Sequence, residues 1–189
     1  MLAAATSSRL ATAQLRWDAG AEAGISRRFT TGAPPGAPSP GFGPMVELQG
    51  HVALVPMVRV GIYLAEDLSP AGDRLRSFSA GGIHLRASPP LLPSGWRTWL
   101  FAGLGFAWAY DGGAHTSGQL FDVPFGLGLG RKLGGSFLAF AELGARAGFG
   151  FYGAMYGAVP PGSTAENANS PLGHDAVALT LSVGLSLDE

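Results

Sequence analysis

An all-β chain, closed as an eight-stranded antiparallel up-and-down transmembrane β-barrel, is the fold class this sequence predicts, and three observations carry the prediction. The first is alternation. In Ala176 to Leu187, Val177, Leu179, Leu181, Val183, Leu185 and Leu187 share one face, while Ala178, Thr180, Ser182, Gly184 and Ser186 share the other. A period of two marks an extended strand with one apolar face, and a dozen residues at about 3.3 Å each cross a bilayer at a tilt. The second is charge. Only 13% of the 189 residues are charged, about half the usual share, and no run of eighteen apolar residues offers a helical span. The third is that polar or longer connections alternate with tighter ones, as in membrane barrels with short turns at one end and longer loops at the other.

The strands follow in order. Arg16 to Phe29 points Trp17, Ala19, Ala21, Ala23 and Ile25 one way and Asp18, Gly20, Glu22, Gly24 and Ser26 the other. The proline-rich loop TTGAPPGAPSPG then interrupts pairing, because proline lacks the N–H a ladder needs. Met45 to Val55 sets Val46, Leu48, Val52 and Leu54 against Glu47, Gln49, His51 and Ala53, and a tight link at Pro56 leads to a third strand with Val58, Val60, Ile62 and Leu64 opposite Arg59, Gly61, Tyr63 and Ala65. Residues 66–76 read as a polar loop. The fourth strand, Ser77 to Ala87, is the least regular: Ile83 and Leu85 oppose His84 and Arg86, but Phe78 and Ala80 fall in the other parity. A bulge at Gly81-Gly82 would reset the phase.

After SPPLLPSG, the fifth strand, Trp96 to Tyr110, aligns Leu100, Ala102, Leu104, Phe106, Trp108 and Tyr110. The sixth, Gln119 to Gly130, sets Phe121, Val123, Phe125, Leu127 and Leu129 against Asp122, Pro124, Gly126, Gly128 and Gly130. The turn RKLGG leads to the seventh, Ser136 to Tyr152, with Phe137, Ala139, Ala141, Leu143, Ala145, Ala147 and Phe149 opposite Glu142, Gly144, Arg146 and Gly148. A long polar stretch, residues 153–173, precedes the eighth. The barrel domain therefore occupies residues 14–189. Residues 1–13 read as a flexible N-terminal segment or a signal-peptide remnant, since Ala11-Thr12-Ala13 fits a small-x-small cleavage pattern without a basic start.

Composition decides which solvent meets the bulky face. The polar face is mostly glycine, alanine and serine, which suits the cramped bore of eight strands. The apolar faces of the second, third and fifth to eighth strands carry no charge, as lipid demands. Lys132 is the only lysine beside eleven arginines, whereas water-facing surfaces are usually rich in lysine. Trp17, Trp96 and Trp99 lie near one set of strand ends and Trp108, Tyr110 and Tyr152 near the other, so they form the expected aromatic girdles. The absence of cysteine removes disulfides and thiolate chemistry. A net charge of −1 gives nucleic acid nothing to bind.

With these features the chain resembles the small eight-stranded outer-membrane barrel families of Gram-negative bacteria, the OmpA transmembrane domain, OmpX and OmpW group, over about residues 16–187. The resemblance rests on strand number, dyad pattern and loop asymmetry. It implies residence in the bacterial outer membrane, contact with membrane lipid and lipopolysaccharide, and delivery by the outer-membrane insertion machinery. That machinery reads a final strand ending in an aromatic residue. Here Ser182-x-Gly184 matches the start of such a signal, but the chain reads Leu187-Asp188-Glu189 where the aromatic would stand.

The candidate site is the set of inward ionisable groups: Glu22, Glu47, His51, Arg59, His84, Arg86, Asp122, Glu142 and Arg146. Both signs are present in similar number, so an interior charge network that plugs the lumen is expected, with Tyr63, Phe101 and Phe140 filling space. Glu142 and Arg146 lie about 13 Å apart along one strand, so each must pair across strands. The expected role is non-enzymatic, structural or interactive, with a protein partner meeting the external loops. The rival is a narrow channel for small or apolar solutes, which the OmpW likeness implies. His115-Thr116-Ser117 invites comparison with a lipid A deacylase barrel, but it sits in a glycine-rich loop and the nearby carboxylates, Asp122 and Glu142, point inward. Gly126, Gly128 and Gly130 lack the lysine of a phosphate loop. The four histidines are scattered over different elements, so neither a metal nor a cofactor is expected.

Overall fold

The computed structural model describes residues 16–30, 41–72, 74–112, 116–153 and 176–188. These hold eight strands: β1 (Trp17–Thr30), β2 (Phe42–Val55), β3 (Val58–Ala71), β4 (Arg74–Ala87), β5 (Trp96–Asp111), β6 (Thr116–Gly134), β7 (Phe137–Gly153) and β8 (Ala176–Asp188). Each pairs antiparallel with its chain neighbours, and β8 pairs with β1 to close the barrel. Closure leaves no sheet edge, so every strand has a ladder on both sides, the arrangement hydrocarbon requires.

The register sets the barrel's shape. A path through paired residues runs from Trp17 to Val52, Val60, Leu85, Ala102, Phe125, Ala145 and Leu179, and returns to β1 at Arg27, ten residues further on. With standard strand spacing, a stagger of this size over eight strands tilts them by about 40° and leaves a backbone radius of about 8 Å. Such a bore has room for side chains and little else.

Glycine and proline punctuate the ladders where the backbone demands it. Gly72 and Gly135 take φ values of 67° and 54° at the β3–β4 and β6–β7 connections, a region that residues with a Cβ enter at a cost. Pairing of β5 with β6 lapses between Ala102↔Phe125 and Gly105↔Asp122. Pro124 lies in that gap, and it has no N–H to donate.

Three local expectations change. The polar loop expected at 66–76 is mostly strand: β3 and β4 continue to a connection of residues 72–73. Glu66 thereby joins the outward face, where Ser79 donates a hydrogen bond to its carboxylate, and the outward wall of β3 is not free of charge. Second, no bulge resets β4, whose pairing with β3 and β5 runs without a shift. Phe78 and Ala80 face inward with His84 and Arg86, so apolar does not mean outward in this strand. Third, β6 extends through residues 131–134, and Arg131 joins its outward face.

Across its middle the outward face is apolar. Leu48, Ile62, Leu104, Leu127, Leu143 and Val183 are each more than half exposed, a continuous belt that only lipid or another apolar surface satisfies. Trp17 and Trp96 stand on this face at the end holding the β2–β3 and β6–β7 turns, and Trp108 and Tyr110 stand on it at the opposite end. The Tyr152 side chain lies outside the described residues, as do residues 1–13. A closed barrel resists detergent at room temperature, so the protein should migrate differently on a detergent gel before and after boiling. A single unshifted band would contradict the closed sheet.

Candidate functional site: the charged interior

Inward-facing side chains meet across a bore of this width, and the sequence places large and absent side chains on neighbouring strands so that they fit. Trp99 is the clearest case. It pairs with Gly128, and a Cβ on Gly128 would come within 2.1 Å of the indole. Phe101 likewise lies over Gly126, and Phe140 over Gly184. Trp99 thus corrects the girdle assignment: it is 1% exposed, inside the barrel, and its Nε1 donates to Glu142 Oε1 at 2.8 Å. Its odd position in β5 puts it on the face of Phe101, away from Trp96 and Trp108.

Glu47, His51, His84, Arg86, Asp122, Glu142 and Arg146 are buried on the inward face, as is Glu22, and Arg59 is half-buried at the turn end. They fall into linked groups. At the turn end Asp18 accepts from Arg59 and from His51 Nδ1 at 2.9 Å, and Arg86 Nη1 lies 3.7 Å from it. His51 Nε2 meets His84 Nδ1 at 3.2 Å. Arg86 Nη2 donates to Glu142 Oε1 at 2.9 Å and to Gln49 Oε1 at 2.8 Å, while its guanidinium lies over the Trp99 ring at 4.6 Å.

Above this group, Arg146 clamps Asp122 with Nη2 at 2.6 Å and Nε at 3.3 Å, and reaches across the lumen to Glu47 with Nη1 at 2.8 Å. Two-point contact of an arginine with a carboxylate is the strongest form of such a pair. Tyr63 donates to Asp122 at 2.8 Å and closes the group. Glu142 and Arg146 do not pair with each other. Glu142 is held by β4 and Arg146 by β2 and β6, as their spacing along β7 requires.

A third group, toward the loop end, falls outside the expected set. Arg28 pairs with Asp67 and lies 3.6 Å from the Phe78 ring centroid, and Arg76 Nε donates to Asp111 Oδ2 at 2.9 Å. Asp67 and Arg76 sat in the stretch read as a loop, and Asp111 just beyond the fifth strand. Arg28 and Asp18 carried a usable signal, the same parity in β1 as Glu22. Glu22 itself is paired in register with Glu47 and has no ion pair among the described residues. Its Oε2 and His84 Nε2 lack hydrogen-bond partners among the described residues. No group of three or more potential metal ligands occurs among the described residues. His115 of the sequence His115-Thr116-Ser117 lies outside them.

No protein-family model matches the chain, and no curated protein matches its sequence. Solved structures do. Neisserial surface protein A (NspA) superimposes with a TM-score of 0.62 over 90% of this chain and 96% of that one, at 13% identity. A major outer membrane protein from Thermus thermophilus does so with a TM-score of 0.54, over 93% of this chain and 100% of that one, at 12% identity. This chain has the fold of a small outer-membrane β-barrel. At such identities the likeness is one of architecture and does not extend to the residues of the interior.

Removing one partner of a buried pair strands the other charge, at a cost of about 3–5 kcal/mol. Arg146→Ala leaves Asp122 and Glu47 without their cation, so its urea midpoint in lipid vesicles should fall well below that of the parent. An unchanged midpoint would mean the network does not hold the barrel together. Gly128→Leu, which forces a side chain into the indole of Trp99, should destabilise the barrel by about 1–3 kcal/mol in the same assay.

Proposed function

We propose that this chain resides in the outer membrane of a Gram-negative bacterium as a non-enzymatic barrel with a plugged interior. Its wall contacts membrane lipid and lipopolysaccharide. Its role is structural or interactive, through the segments between β1 and β2 and between β7 and β8, which are the long polar stretches of the sequence. The observation that carries this reading is the lumen-spanning pair of Arg146 with Glu47 and Asp122, between the Arg86–Glu142 group on one side and the Arg28–Asp67 pair on the other. A solute passing along the axis would have to break several buried ion pairs. The same pairing engages Asp18, Glu47, Asp122 and Glu142 with cations, which leaves those carboxylates poorly placed to act as bases.

A narrow channel is the second reading, and one observation favours it. Among the described residues Glu22 Oε2, His84 Nε2, Arg86 Nε and Asp67 Oδ1 are buried polar atoms without hydrogen-bond partners, distributed along the lumen. Buried groups of this kind are usually met by water, and water in a chain is the start of a conduit.

Conductance across a planar bilayer separates the two. The plugged barrel should give no stable openings, and large persistent openings would overturn it in favour of the channel. Incubation with lipopolysaccharide should release no fatty acid; release would restore the deacylase reading.

A further inference from the structure

The outward wall carries two opposite charges at the loop end, and neither finds an ion-pair partner within the chain's described residues. Arg27 projects from β1, its guanidinium 5.0 Å from the Phe29 ring and 5.1 Å from the Phe42 ring. Glu66 projects from β3 and, among the described residues, receives the Ser79 hydroxyl. Both lie among apolar neighbours on a face turned to lipid, where an ionised side chain is costly and its presence points to function.

The two positions flank β2 and stand at nearly one height. Ala23 pairs with Val46, and Val46 with Glu66. Each step to the next strand raises this row by about 3 Å, and the four residues from Ala23 to Arg27 add about 10 Å along the axis. Arg27 therefore stands only about 4 Å above Glu66. Between them β2 presents Phe42, Val46 and Leu48, each more than half exposed, and a shallow trough of about 370 Å³ runs beside it, lined by Val46, Leu48, Leu64, Glu66 and Trp108.

We infer that this face docks a second copy of the chain, with β2 against β2 about a two-fold axis along the membrane normal, so that Arg27 of each copy pairs with Glu66 of the other. A two-fold interface requires residue i to meet residue j and j to meet i, and opposite charges at one height on either side of the axis meet that requirement. The span also fits. Barrels touching at β2 with the usual spacing of packed sheets, about 10 Å, curve apart to roughly 15 Å between β1 of one and β3 of the other. An extended arginine and a glutamate together bridge such a gap.

The chain has no cysteine, which makes the test direct. Val46→Cys on β2 and Phe125→Cys on β6, the far side of the barrel, are each reconstituted in phosphatidylcholine vesicles and oxidised. Boiled and unboiled gel lanes verify that each variant is folded. The dimer predicts strong cross-linking through position 46 and little through position 125. In the Val46→Cys background, Glu66→Arg or Arg27→Glu alone should lower the yield by about tenfold, and the double exchange should restore it. Equal yields at the two positions, single variants without effect, or no recovery in the double exchange would overturn the dimer. So would native mass spectra of a monomer holding one lipid that is lost on Glu66→Arg, which would assign the trough to lipid.

Discussion

Most of what lies inside this barrel answers to one constraint: an inward charge is costly unless it finds its opposite within a wall whose backbone radius is about 8 Å. The strands deliver carboxylates and guanidinium groups at fixed inward positions, close enough to reach one another across the axis. Arg146 meets the demand by reaching from β7 to β2 and β6 at once, and Arg86 by reaching from β4 to β2 and β7. Aromatic rings complete the packing and lie against the same guanidinium groups, Trp99 against Arg86 and Tyr63 against Arg146. Pairing and filling are thus one solution. Each long arginine both neutralises a neighbour and occupies the space that a narrower side chain would leave open.

Much of the wall was legible because its rule is local. Alternation with a period of two identifies inward and outward faces from a short window, and it placed Glu47, His51, Asp122, Glu142 and Arg146 correctly inward. Where the rule misled, the deciding partner was distant in sequence. Phe78 and Ala80 looked out of phase because apolar was equated with outward. In fact they join an interior patch with Tyr63, Ala107, Ala109 and Leu120, which only the folded register reveals.

Trp99 shows the same limit from the other side. A tryptophan near a strand end is usual for an interface, but here Gly128 of the next strand vacates the volume that the indole takes. The one local signal is parity: Trp99 shares its face with Phe101, opposite Leu100, Ala102 and Leu104. The β3–β4 extension was obscured by polarity. Glu66, Asp67 and Arg76 read as loop residues because two of them are inward charges and the third faces outward with an unusual acid. Asp67 and Arg76 then vanished from the site along with the strands that carry them.

The pair formed by Glu47 and Arg146 joins residues 99 positions apart, and this separation bears on how the barrel assembles. The hairpins β2–β3, β3–β4 and β6–β7 close over two residues each, so they can form early at small entropic cost. The ion pair cannot form until β2 and β7 are brought face to face by rolling of the whole sheet. Until then Glu47 on β2 stays apart from Arg146, which can already meet Asp122 within the β6–β7 hairpin. The Glu47–Arg146 contact and the β1–β8 seam thus both depend on the sheet being closed, and each favours the arrangement that the other needs.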